Sequence, residues 1–255
     1  MRDGWRLAVG MLTVVRVAPP RSVDRSVDRG VARAAMLLAS LAVLPLGLAV
    51  AAVGGLGQAA GLPPLVIGLL CVGTLVLGSR AFHVDGLSDT ADGLTVSYDR
   101  ERSLAVMRTG TSGPAGGAAV LLVLGLQAAA FASIVTATAG AVLAGALVCA
   151  SRCALLLTCA AGVPGARTGG LGIDYVGSVP RLATVLGWVL VTVITAGLVE
   201  WTGGEWWRAP IAVVVAVAIV LMLVRRAVLR FGGVTGDVYG ASIELCLAAL
   251  LVTLA

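Results

Sequence analysis

The chain has 255 residues, 59% of them hydrophobic and only 12% charged, with a formal net charge of +5 and a mean hydropathy of +1.02. A water-facing surface cannot be built from so few polar residues, which excludes a soluble globule, and five scattered cysteines suggest neither a disulfide framework nor a metal site. The expected fold is all-α: a polytopic membrane bundle forming a single membrane-embedded domain over 1–255.

In chain order, residues 1–33 come first. The apolar stretch Leu7–Val17 is broken by Arg16 and no small-residue cleavage site follows, so it reads as an interfacial amphipathic segment rather than a signal peptide. Apolar stretches able to cross the bilayer lie near 34–54, 62–79, 115–135, 139–161, 182–200, 209–224 and 240–255. There is no lysine. Seven of the eighteen arginines (Arg2, Arg6, Arg16, Arg21, Arg25, Arg29, Arg33) precede the first stretch and place the N-terminus in the cytoplasm. Threading seven spans from there collects Arg80, Arg100, Arg102, Arg108, Arg167, Arg181, Arg225, Arg226 and Arg230 on the inner face. Arg208 alone falls outside, in a loop with Trp201, Trp206 and Trp207, as an aromatic belt would have it. Glycine clusters such as Gly47, Gly54, Gly55 and Gly57 are expected to let helices approach closely.

The longest polar connection, 80–112, is a cytoplasmic candidate catalytic region. It holds "RAFHVDGLSDTADGL", in which Asp85, Asp89 and Asp92 stand at i, i+4 and i+7 and so share one helical stripe within about 60°. Three carboxylates side by side need a compensating cation, and hard oxygen ligands suit Mg²⁺ or Mn²⁺. The bland alternative is a solvated acidic helix end paired with nearby arginines. His83, the only histidine, is either a structural hydrogen-bonding residue or a catalytic one. Gly86 and Gly93 remove bulk where a helix or a phosphate must come close.

A second cluster is "RFGGVTGDVYGASIEL". Asp237 follows a Gly-rich turn, and Glu244 lies two helical turns further on the same face, expected to point at the same interior as the aspartates. Arg152 is isolated in the fourth apolar stretch and needs an anion, either one of these acids or a substrate phosphate. Aspartates, Gly-rich turns and inward arginines together suggest phosphoryl transfer at the membrane boundary.

Several segments carry a more specific likeness: "TVVRVAPPR" with Arg16 and Pro20, "FHVDGLSDTADGL", "RERSLAVMR", "ASRCALL" with Arg152, "GGLG" at 169–172 and "GGVTGDVYGASIEL". In this order they resemble the cobalamin synthases, or adenosylcobinamide-GDP ribazoletransferases, along nearly the whole chain. The resemblance implies a multi-pass cell-membrane enzyme of vitamin B12 assembly. Such an enzyme uses Mg²⁺ to transfer the adenosylcobinamide phosphate group to α-ribazole or its 5′-phosphate, with release of GMP, at an active site on the cytoplasmic side.

By the same resemblance, Asp85, Asp89, Asp92, Asp237 and Glu244 hold the metal. Asp85, Asp89, Asp92 and His83 are catalytic, and Arg16, Arg108, Arg152, Gly113 and Gly236 bind substrate. The implied partners are the two substrates, the lipid bilayer, and a second copy of the chain or other cobalamin-assembly enzymes, with no nucleic acid. One departure stands out: the family continues D-S-R-x-G-x-x-G after "VMR", whereas Thr109 and Thr111 replace the Asp and Arg here while Gly113 and Gly116 are kept. The competing readings are a CDP-alcohol phosphotransferase, whose aspartate spacing is wider, and a cation-coupled transporter, which would place its acids at the bilayer midplane.

Overall fold

The computed structural model describes residues 1–18, 27–96, 98–167, 169 and 172–255. Pro20, Arg21, Arg25, Gly170 and Leu171, singled out above, lie outside the described residues. Among those described there are helices and no strands.

Helix α1 (Arg2–Leu12) buries Gly4, Ala8, Val9 and Leu12 and leaves Met1, Arg2 and Trp5 exposed, the amphipathic face expected of an interfacial segment. It packs on α2 (Arg29–Leu37) and α3 (Ala39–Ala42). Gly4 makes this contact, since a Cβ there would sit 2.5 Å from the Ala34 Cβ. The stretch read as a first span is therefore broken into pieces, and continues as α4 (Leu44–Ala59).

Helix α5 (Pro64–Gly78) returns antiparallel to α4, then turns by 91° into α6 (Phe82–Thr95), which carries the aspartate motif. Arg80 and Ala81 make this corner with φ of 58° and 55°, a left-handed conformation that costs a non-glycine residue about 1–2 kcal/mol. The N-terminal segment braces it: Arg80 Nη2 donates to the Gly10 carbonyl at 2.7 Å, and the Val14 amide donates to the Gly78 carbonyl at 2.7 Å.

After the short α7 (Arg100–Val106), the long apolar helices follow: α8 (Pro114–Ile134), α9 (Gly140–Ser151) continued by α10 (Ala154–Thr158), α11 (Arg181–Trp201), α12 (Arg208–Phe231) and α13 (Gly236–Leu254). Among the described residues, five helices are long and apolar enough to cross a membrane, or six if α5 and α6 form one bent span. At 16 residues α4 rises only about 24 Å, short of a hydrocarbon core of about 30 Å.

Two ends of the bundle can be told apart. Helices α8, α11 and α13 start, and α10 and α12 finish, at the end where α6 lies, together with Arg100, Arg102, Arg108, Arg167, Arg181 and Arg230. At the far end Ser133 Oγ donates to the Ala255 carbonyl (3.2 Å), Gln58 Nε2 to the Thr136 carbonyl (3.3 Å) and Arg208 Nη2 to the Thr253 carbonyl (3.3 Å). The arginine asymmetry of the sequence is thus an asymmetry of the folded bundle. Trp201, Trp206 and Trp207 are all exposed at the far end.

Helix α13 is the central post, packed by α6, α8, α9, α10 and α12 and buried along most of its length. Elsewhere, the expected glycine contacts appear at Gly47 and Gly145, where α4 and α9 touch backbone to backbone. All five cysteines are free.

Candidate functional site

Residues 82–95, read from sequence as part of a polar connection, form a helix set between α13 and α8 and largely buried. Small residues permit this. A Cβ on Gly86 would lie 2.6 Å from the Asp237 carbonyl oxygen, and one on Gly240 would lie 3.0 Å from the His83 Cα, so α6 and the Gly236–Gly240 turn of α13 cross with backbones in contact. The crossing is antiparallel: the C-terminal part of α6 faces the start of α13, and the N-terminal part faces its interior.

That register sorts the sequence-predicted acids into two groups. In the first, Asp89 lies within electrostatic reach of Asp85, Asp237 and Asp92, with Arg167 as the cation in range. Asp85 is exposed, while Asp89 is 9% exposed. Asp237 is held at the first turn of α13, where Thr235 Oγ1 donates to its Oδ2 at 3.2 Å and caps the helix by accepting from the Val238 amide at 3.4 Å. Arg167 donates to the Leu104 carbonyl at 2.9 Å and reaches this group from the 159–180 loop. Burial and the nearby Arg108 lower the Arg167 pKa, and Asp237 and Asp89 oppose that shift.

Asp92 has a different engagement. Its Oδ2 accepts from the Gly113 amide at 2.6 Å and its Oδ1 from the Gly116 amide at 2.8 Å, so it caps the N-terminus of α8 from another helix. Ser88 shares this seat through a 2.6 Å hydrogen bond with Ser112. Gly113 and Gly116 have to be glycines here, because a Cβ on either would press into the Asp92 carboxylate.

Glu244 forms the second group, with Gln127, His83 and Arg152. Seven residues along α13 return it to the face of Asp237 but about 10 Å deeper. There Gln127 Nε2 donates to its Oε2 (2.8 Å), His83 Nδ1 lies 3.8 Å from its Oε1, and Arg152 is close enough to act electrostatically. His83, Gln127, Arg152 and Glu244 are all 5% exposed or less. Arg152 Nη1 donates to the Val148 carbonyl (2.8 Å) and to Ser151 Oγ (2.9 Å). The anion near Arg152 is therefore one of the acids weighed in the sequence, Glu244.

The remaining candidates are spread out. Gly113 is the N-cap of α8, and Gly236 opens α13, where Gly172 packs on it. Arg108 is exposed near Arg167, and Arg16 is exposed beyond the end of α1. Sequence reasoning did not single out Arg167 as a site residue, nor Gln127, whose signal was a lone amide in an otherwise apolar span.

The donor chemistry at the first group suits a hard divalent cation: Asp85, Asp89 and Asp237 lie within electrostatic reach of one another, with Arg167 the guanidinium in range among the described residues. Among the described residues no three acidic, His or Cys side chains stand at ligand spacing. A pocket of about 220 Å³ opens onto Asp237, Arg167, Thr235 and Phe82. Through Phe82, Gly172 and Gly236 it adjoins a larger cavity of about 580 Å³.

Comparison with known proteins adds to this geometry. The family described as Cobalamin-5-phosphate synthase matches residues 4–255. The chain is 55% identical over 251 residues to a protein of Nocardioides sp. named adenosylcobinamide-GDP ribazoletransferase, covering 98% of this chain and 97% of that one. Proteins of the same name from Frankia casuarinae (36% identical, covering 98% and 93%) and Bradyrhizobium diazoefficiens (34%, covering 92% and 86%) are also similar. No solved structure matches.

Proposed function

The chain belongs to the cobalamin-5-phosphate synthase family, and we propose that it is an adenosylcobinamide-GDP ribazoletransferase working at the α6–α13 crossing. The observation that carries this is the electrostatic proximity of Asp85, Asp89 and Asp237 to one another and to Arg167, with Asp237 and Arg167 lining the smaller of two joined pockets at the arginine-rich end of the bundle. In this reading a ribose hydroxyl of α-ribazole, or of its phosphate, attacks the phosphorus nearer the cobinamide. The bond from that phosphorus to the bridging oxygen breaks, GMP leaves with that oxygen, and the hydroxyl proton passes to water at the exposed Asp85.

Asp85, Asp89 and Asp237 would hold Mg²⁺, which when bound offsets the negative charge of the diphosphate. Arg167 and Arg108 orient the donor diphosphate, a task suited to guanidinium groups. Asp92 acts through position, tying α6 to α8. His83, Glu244, Gln127 and Arg152 set the depth of α6 against α13 and so the placement of the aspartates.

The same reading puts the arginine-rich end in the cytoplasm of a cell-membrane protein. A transporter is disfavoured because the aspartates gather at one end of the bundle rather than midway along it. The test is purified protein in detergent with adenosylcobinamide-GDP and α-ribazole: GMP and the joined corrinoid nucleotide are expected with Mg²⁺, and neither when Asp89 is changed to Asn. Turnover in Asp89→Asn at the wild-type rate would refute the site.

A further inference from the structure

The larger cavity is not needed to hold a metal or a diphosphate. It lies between α1, the corner that leads into α6, and α13, and measures about 580 Å³, the size that receives a small-molecule group. Its walls include Leu7 and Met11 of α1, Leu155 of α10, Ile243 of α13 and the rings of Phe82 and Tyr239. Among the described residues no carboxylate lines it, and Arg6 and Arg80 do.

His83 borders it too, 2% exposed and with neither ring nitrogen hydrogen-bonded. Nδ1 lies 3.8 Å from the Glu244 carboxylate, and a buried ring nitrogen with no hydrogen bond, as Nε2 is, is costly unless a ligand supplies one. The cavity also shares Phe82, Gly172 and Gly236 with the pocket that opens on Asp237 and Arg167. A molecule lying in it can therefore present one end to Asp237 and Arg167.

We propose that this cavity receives the aromatic base of the acceptor nucleoside. The inference rests on the transferase reading above and adds the acceptor's place to it. A flat, mostly apolar bicyclic base suits aliphatic and aromatic walls, and a single ring nitrogen on it can be met by the N–H of His83. Guanine, the base of the donor, carries a run of donors and acceptors that these walls could not satisfy. With the base held here, the ribose points through the shared opening toward Arg167, and Arg6 and Arg80 stand where a phosphate on the acceptor would meet positive charge. Helix α1 then forms one wall of the acceptor site.

The test uses the full-length protein in detergent. Met11→Trp and Leu7→Trp each fill the cavity and are expected to raise KM for α-ribazole at least tenfold with little change in KM for adenosylcobinamide-GDP. Because a filled cavity could also fail to fold, Met11→Cys supplies a small replacement. Its modification by a thiol reagent, followed at that residue by mass spectrometry, is expected to slow at least fivefold when α-ribazole is added without donor or Mg²⁺. Unchanged acceptor KM in a folded Trp variant, or no protection of Met11→Cys, overturns the proposal, as would be found if the cavity held a lipid chain. Wild-type GMP release in the same preparation separates the two claims: release without protection sinks the cavity assignment alone, and protection without release sinks the transferase reading.

Discussion

The Asp92 carboxylate grips the start of α8 with both oxygens, accepting from Gly116 at 2.8 Å while its other oxygen takes the Gly113 amide. A charged acceptor at a helix N-terminus stabilises the free amides and the positive end of the helix dipole, so this acid contributes to folding as well as to the motif. Gly116→Ala would push a methyl group into Ser88 and Asp92, and is expected to cost about 1–3 kcal/mol as overpacking. The expected readout is a lower thermal midpoint in detergent for Gly116→Ala and Asp92→Ala. Asp89→Asn, which removes charge from a crowded acidic group, should lose activity without losing stability. A midpoint for Asp92→Ala equal to wild type would show that the cap is dispensable.

Arg152 and Glu244 are buried within electrostatic reach of each other, Glu244 held by Gln127 and Arg152 by the Val148 carbonyl. Removing one charge and leaving the other buried costs about 3–5 kcal/mol, whereas removing both with residues of similar shape costs far less. Arg152→Met is therefore expected to destabilise strongly, and Arg152→Met with Glu244→Gln to recover much of the loss. Equal losses in the single and double variants would mean that the two do not act as a pair.

Orientation in the bilayer can be read with cysteines at the two ends of the bundle. In a background lacking the native cysteines, Arg102→Cys is expected to resist a membrane-impermeant thiol reagent added to intact cells, and Glu205→Cys to react. Both positions are exposed. The reverse pattern would turn the protein over and move the site to the outer face.

Thr109 and Thr111 stand where the resemblance leads one to expect Asp and Arg, and both are exposed. Thr109 Oγ1 donates to the Val106 carbonyl at 2.8 Å, and Thr111 Oγ1 donates to Thr109 Oγ1 at 3.1 Å. They occupy the link between Arg108 and the glycines that seat Asp92. Thr109→Asp with Thr111→Arg is expected to lower KM for adenosylcobinamide-GDP or the Mg²⁺ requirement, since a hydroxyl offers neither charge nor a bidentate fork. Unchanged kinetics would mean that Arg167 and Arg108 already meet the need.

The helical bundle and its charge asymmetry were legible because hydropathy and arginine placement are properties of contiguous sequence. The acidic stripe was legible for the same reason: i, i+4 and i+7 share a face on any helix. The sorting of the acids was not. Asp92 takes its partners 21 and 24 residues away, and the meeting of Glu244 with His83, and of Asp237 with Gly86, follows from the antiparallel register of α6 on α13, which no local pattern encodes. Nor did the apolar run at 62–79 announce that the chain would turn through 91° after it, at two residues that are not glycine.

That corner has a consequence for how the protein comes to be active. Arg80 and Ala81 have no intrinsic preference for the backbone they adopt, and the groups that hold them there, the Gly10 carbonyl and the Val14 amide, belong to a segment some 70 residues earlier. The direction of the aspartate helix at this corner therefore depends on the docked first helix as well as on α13 and α8. A deletion or bulky fusion that lifts α1 from the bundle would leave Asp85, Asp89, Asp92, Asp237 and Glu244 in the chain and the long apolar helices intact, yet misdirect the reaction centre.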